Sequence, residues 1–127
     1  MCIRDRHIVQ IDLSSGKCEA CSKDATLLSL NEINELKGQV PSWIVFHDDE
    51  DEIQKLACSF SFINYNNSVE FANKIAKLAE EENHHPQINL EWGKVTVIWW
   101  SHEIKGLHMN DFICAKKTDL LFGSDNK

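Results

Sequence analysis

Positive charge, proline and glycine are all scarce in this chain. Its 127 residues carry 13 Lys and Arg against 20 Asp and Glu, a net charge of −7. A footprint on nucleic-acid phosphate needs a basic patch, so a nucleic-acid partner is not expected. No apolar run approaches the roughly 20 residues that a membrane-spanning helix needs, so no membrane role is expected either. The start, MCIRDRHIVQIDL, lacks an apolar h-region, which argues against a secretory signal. The opening MCIRDR reads unlike the rest of the chain and is assigned no function. With 2 prolines and 5 glycines, no low-complexity linker and no repeat is visible.

Paired cysteines are lacking too. The five are Cys2, Cys18, Cys21, Cys58 and Cys114, an odd number that suits free thiols in a reducing cytoplasm. Cys18 and Cys21 form CEAC, but in a polar stretch rather than at a strand–helix junction. No second pair completes a zinc ribbon. The motif is not expected to be redox-active or metal-binding.

What is present is an ordinary globular composition, 43% hydrophobic and 26% charged, enough for one modest core. Residues 1–28 read as a polar N-terminal arm and 29–124 as a single domain. SLNEINELKG predicts a short helix, with Ser29 and Glu32 as a capping box and Gly38 at its end. Strands are predicted over Trp43–His47 and Ile53–Phe62. NNSVEFANKIAKLAEEEN predicts a long helix capped by Asn67 or Ser68, with Val69, Phe71, Ala72, Ile75, Ala76, Leu78 and Ala79 on its apolar half. Strands at Ile88–Glu91 and Lys94–Trp100 follow, turning at Trp92-Gly93. NDFICAKKTDLLF predicts a last helix capped by Asn110 or Asp111. The order α-β-β-α-β-β-α implies an α+β fold, a four-stranded antiparallel sheet with helices packed on one face.

The stretch EENHHPQ carries the chemistry. Pro86 disfavours helix at His85, so the chain must leave the helix near Asn83 or His84. Adjacent histidines in an extended segment point apart, so they can line two walls of one pocket but cannot easily grip one ion. Glu80 precedes His84 by one helical turn and can orient an imidazole. His102 supplies a third imidazole beyond the Lys94–Trp100 strand, with Asp111 placed to brace it. Imidazoles titrate near neutrality and can both give and take a proton. The plainer readings are local capping for HHP, zinc binding without HxH or HExxH spacing, and packing rather than substrate stacking for Trp99 and Trp100. His7, His47 and His108 are expected at the surface, His108 in the loop near His102.

These residues together resemble the pterin-4a-carbinolamine dehydratase family, in its proteobacterial branch. The pattern joins EEENHHP to EWGKVTVIWWSHEIKGLHMNDF over about residues 40–122. An aromatic stands six residues past the proline at Trp92, a histidine ten further on at His102, and Gly106, Leu107 and Asp111 follow. Ser101 stands where many members have threonine, and His108 where threonine or serine is usual.

The resemblance implies an α+β hydro-lyase that removes water from 4a-hydroxytetrahydropterin to give quinonoid dihydropterin. That step recycles tetrahydropterin for aromatic amino acid hydroxylases. It implies His84, His85 and His102 as active-site histidines, with Glu80 and Asp111 as supporting acids. His84 and His102 would do the acid and base work, and His85, Pro86 and Trp100 would meet the pterin. It further implies no metal or organic cofactor, a cytoplasmic homodimer or homotetramer, and a functional link to a hydroxylase. Trp43 is read as structural or at the pocket rim. The alternative is a non-catalytic binding, assembly or transcription-cofactor protein on the same fold. Retention of all three histidines and both acids favours catalysis.

Overall fold

The structure, a computed structural model, describes residues 28–47, 53–102 and 104–125. The readings of the N-terminal arm, of MCIRDR, of His7 and of Cys2, Cys18 and Cys21 fall outside the described residues.

Helix α1 (Leu30–Lys37) begins at the capping box expected from sequence, with the Ser29 side chain accepting from Glu32 N and the Glu32 carboxylate accepting from Ser29 N. Each such cap contributes about 1 kcal/mol. Strands β1 (Ile44–His47) and β2 (Gln54–Ser61) form an antiparallel pair, and His47 is exposed. Helix α2 (Tyr65–Glu82) starts three to four residues earlier than a cap at Asn67 or Ser68 would place it. The true cap is Asn64, whose side chain accepts from Asn67 N at 2.8 Å. Strands β3 (Gln87–Glu91) and β4 (Lys94–Trp99) and helix α3 (Met109–Asp125) complete the order α-β-β-α-β-β-α. The sheet runs β1-β2-β4-β3, all antiparallel. The α+β architecture inferred from the sequence is the one observed.

The β3–β4 turn is tight at Gly93, where φ is 73°. A Cβ there would meet the Phe62 carbonyl oxygen at 3.2 Å, in a conformation that side chains rarely adopt. Gly93 also ties this turn to the end of β2, its carbonyl accepting from Phe62 N at 2.8 Å.

Alternation divides the sheet. Leu56, Phe60, Val95, Val97 and Trp99 join the core with Trp43, Phe71, Ile75 and Phe112 from elsewhere in the chain. Burying each large apolar side chain contributes roughly 1.5–3 kcal/mol. The rings of Phe60, Phe62, Phe71 and Phe122 pack against one another with centroids 4.9 to 5.8 Å apart. On the other face, Ser59 and Thr96 share a cross-strand hydrogen bond of 2.9 Å. Trp43 is structural: it is fully buried, and its indole N–H donates to Asp119 at 2.9 Å. The apolar stripe of α2 is narrower than the sequence suggests, because Ala76 is exposed.

Two features aim the core at one corner. Lys117 of α3 pairs with Glu82 at the end of α2 at 2.7 Å, in a part-buried site. Trp99 donates its indole N–H to Thr118 Oγ1 at 3.2 Å. The ends of α2 and β4 are therefore both held to the middle of α3.

Candidate active site

Residues 83–85 set the directions of the two adjacent histidines that precede Pro86. Asn83 adopts the left-handed conformation, φ 54° and ψ 43°. His84 N donates to the Ala79 carbonyl at 3.1 Å and Asn83 N to the Glu80 carbonyl at 3.3 Å. These are the two bonds of a Schellman cap. The cap reverses the chain direction, and Pro86 then keeps it extended into β3. His84 is carried inward and His85 outward.

His84 is only 2% exposed. Its ring stacks on Trp99, with centroids 5.4 Å apart and planes 17° apart. Its Nε2 lies 2.6 Å from Asp111 Oδ1. An ionised carboxylate only accepts, so the hydrogen of this bond sits on Nε2. The other carboxylate oxygen, Oδ2, accepts from the Ser101 hydroxyl at 2.9 Å and from His108 N at 2.9 Å. Asp111 is fully buried and holds three donors from three segments.

His85 is half exposed, and its Nε2 donates to Glu80 Oε2 at 2.7 Å. His102 is exposed, on a short loop closed by the Ser101–Gly106 bridge. Its Nε2 donates to the His85 carbonyl at 3.3 Å. Trp100 packs beside it, ring centroids 4.5 Å apart. Pro86, next in the chain, is partly buried.

The sequence-predicted histidines, acids and Trp100 thus gather at one end of the sheet, but the bracing differs from the sequence reading. Glu80 meets His85 rather than His84, because the Schellman turn displaces His84 from the helical path that the one-turn spacing assumes. Asp111 meets His84 rather than His102, because its residue at the start of α3 faces the core. His108 is likewise more than a surface residue. It caps α3: Asn110 N donates to its Nδ1 at 3.1 Å, while Asp111, three residues on, accepts from its backbone N–H. Asn110 and Asp111 lie within the first turn rather than at the cap. A capping role for histidine has little sequence signal, since Ser, Thr, Asp and Asn usually fill it.

A groove of about 520 Å³ between α2 and α3 is lined by Lys74, Lys77, Leu78, Glu82, Lys117 and Leu120. It contains none of the three histidines, so the titratable cluster, not the volume, marks the candidate site. Among the described residues, no group of three or more His, Cys, Asp and Glu is arranged to hold a metal ion. No described helix is long and apolar enough to cross a membrane.

The family model for pterin 4 alpha carbinolamine dehydratase matches residues 26–121. The chain belongs to this hydro-lyase family. A protein of Nitrosococcus oceani, provisionally named a pterin-4-alpha-carbinolamine dehydratase, is 53% identical over 110 residues, covering 87% of this chain and 96% of that protein. Among solved structures, a transcriptional coactivator/pterin dehydratase from Brucella melitensis superposes with a TM-score of 0.66 at 25% identity, over 76% of this chain and 98% of that one. A pterin dehydratase-like protein identified as a RuBisCO assembly factor in the alpha-carboxysome gives a TM-score of 0.54 at 25% identity, over 65% and 90%.

Proposed function

We propose that this dehydratase-family chain eliminates water from 4a-hydroxytetrahydropterin, with His85 and His102 exchanging the protons. The observation that carries the reading is the pair of exposed imidazoles joined through the His85 carbonyl, above a buried third one.

The elimination breaks the C4a–O bond, makes a double bond between N5 and C4a, and releases the N5 proton. An acid must protonate the departing hydroxyl and a base must accept the N5 proton. His102 donates from Nε2 to a carbonyl, so in its neutral form the lone pair is on Nδ1, suited to the base. His85 bonds Glu80 through Nε2, so when protonated it delivers from Nδ1, suited to the acid. Water is the leaving group, and quinonoid dihydropterin remains. Each transfer is typically worth about 10²–10⁴-fold in rate.

His84 acts differently in this reading. Held by Asp111 and stacked on Trp99, it anchors the chain just before His85, whose own carbonyl, in the His85–Pro86 peptide, in turn positions His102. Trp100 and Pro86 supply the walls that meet the pterin. Family membership further supports recycling of tetrahydropterin for aromatic amino acid hydroxylation, by a cytoplasmic homodimer or homotetramer.

The test is dehydration of chemically generated 4a-hydroxytetrahydropterin, followed by absorbance, with native protein and the His84→Ala, His85→Ala and His102→Ala variants. Clear acceleration that collapses in the His85 and His102 variants supports the reading. A folded native protein that gives no acceleration overturns it. The roles named for the two structural relatives, coactivator and assembly factor, would then direct the search to a protein partner.

A further inference from the structure

Lys55 is the one lysine on β2, on the sheet face away from the helices, yet it is only 7% exposed. Its Nζ lies 4.4 Å from the centroid of Trp100, over the ring. Burial of a lysine needs compensation, because its charge is stabilised by water. The negative face of an indole supplies part of it, and such contacts gain strength as they lose solvent. The strand register explains the placement. Leu56 pairs with Trp99 across β2 and β4, so the preceding Lys55 and the following Trp100 fall on the same face at the same end of the sheet.

Trp100 is in turn packed against His102, with the ring planes 42° apart and centroids 4.5 Å apart. His102 reaches the His85 carbonyl. A continuous line of contacts therefore runs from a buried ammonium, through an indole plane, to the exposed imidazole pair.

We infer that Lys55 is a positioning residue of the active site, its ammonium holding the Trp100 plane against which His102 is set. This deepens the dehydratase reading and rests on it for its kinetic consequence. The side chain touches no reacting atom; it acts through Trp100. Its effect is expected in substrate binding, since Trp100 is the wall that meets the pterin, and less in the proton transfers.

The discriminating experiment compares Lys55→Met and Lys55→Arg with native protein. Methionine keeps an apolar stem of similar length and removes the charge, while arginine keeps the charge over the ring. Lys55→Met is expected to raise KM for 4a-hydroxytetrahydropterin by about tenfold, the scale of a desolvated cation–π contact, with kcat changed less than threefold. The ring-proton resonances of His102, shifted by the adjacent indole, are expected to move toward free-histidine values in Lys55→Met and to return in Lys55→Arg. Native KM and native His102 resonances in Lys55→Met would overturn the inference. So would failure of arginine to restore them, because packing rather than charge would then be responsible. The resonances do not depend on turnover. A native protein without dehydratase activity whose His102 resonances still respond to Lys55 would sink the functional reading and leave the positioning intact.

Discussion

Asp111 holds His84 by a 2.6 Å bond from one carboxylate oxygen while the other oxygen takes the Ser101 hydroxyl and the His108 amide. One buried side chain thereby ties the end of α2, the end of β4 and the start of α3. Removing it leaves two buried donors and one part-buried donor without this acceptor. Asp111→Ala is expected to destabilise the fold by several kcal/mol, since each buried donor left without its acceptor costs about 1–3 kcal/mol. Asp111→Asn keeps the shape and one acceptor and should cost less, while reducing kcat by up to about 10²-fold through misplacement of the His84–His85 segment. Denaturant unfolding alongside the dehydration assay checks both. A stable Asp111→Ala protein would contradict the three-way tie.

Glu80 offers the contrast. Its bond to His85 is as short, 2.7 Å, but both side chains are more than half exposed. Exposed pairs contribute little to stability, about 0–1 kcal/mol. Glu80→Gln should leave the melting temperature almost unchanged while lowering kcat several-fold, since an amide oxygen accepts from the His85 ring more weakly than a carboxylate does. The two acids thus separate by experiment, Asp111 acting on stability and rate together and Glu80 on rate alone. Equal losses of stability would refute the distinction.

Asn83 sits in the left-handed region at the C-terminus of α2. An ordinary side chain costs roughly 1–2 kcal/mol there, whereas glycine adopts it freely. Asn83→Ala is expected to destabilise by about 1 kcal/mol and to lower activity, because relaxing the Schellman turn turns His84 and His85 away from their partners. Asn83→Gly should retain both stability and activity. Thermal melts and kcat/KM of the two variants decide it, and an alanine variant indistinguishable from glycine would show that the turn conformation is not required.

Much of this was legible in the sequence where local rules and tertiary demands agree. Ser29 and Glu32 form their box because both halves lie within one turn. The alternation of Val95, Val97 and Trp99 marks the buried face of β4 because the pleat has a period of two. The gathering of His84, His85, His102, Glu80 and Asp111 was also legible, through their family spacing. Which acid meets which imidazole was not. That depends on the left-handed Asn83, which breaks the helical periodicity that spacing arguments assume, and on the long-range docking of α3 against the end of α2. Lys55 was hidden for a similar reason. Its partner Trp100 is 45 positions away, and only the β2–β4 register brings the two together.

Asp119 gives a stability effect with a definite sign. Burial raises its pKa from the ordinary carboxyl value of 3.8, with the Trp43 indole N–H and the Lys116 charge pulling the other way. A raised folded-state pKa means that the folded chain binds this proton more tightly than the unfolded chain. The ionised carboxylate therefore costs stability at neutral pH, and the cost is relieved as pH falls through the folded-state value toward 3.8. Asp119→Asn removes the charge and keeps an acceptor for Trp43. It is expected to raise the melting temperature at pH 7 and to lose that advantage at pH 4. Cys58 supplies a second readout, since its thiol is pushed up to about 11 by burial first and by the negative charge of Asp119 second. Cys58 should react faster with a thiol reagent at pH 8 in Asp119→Asn than in native protein, by a small factor because burial remains. A variant less stable than native at pH 7, with Cys58 no more reactive, would show that Asp119 is held by favourable interactions rather than strained by burial.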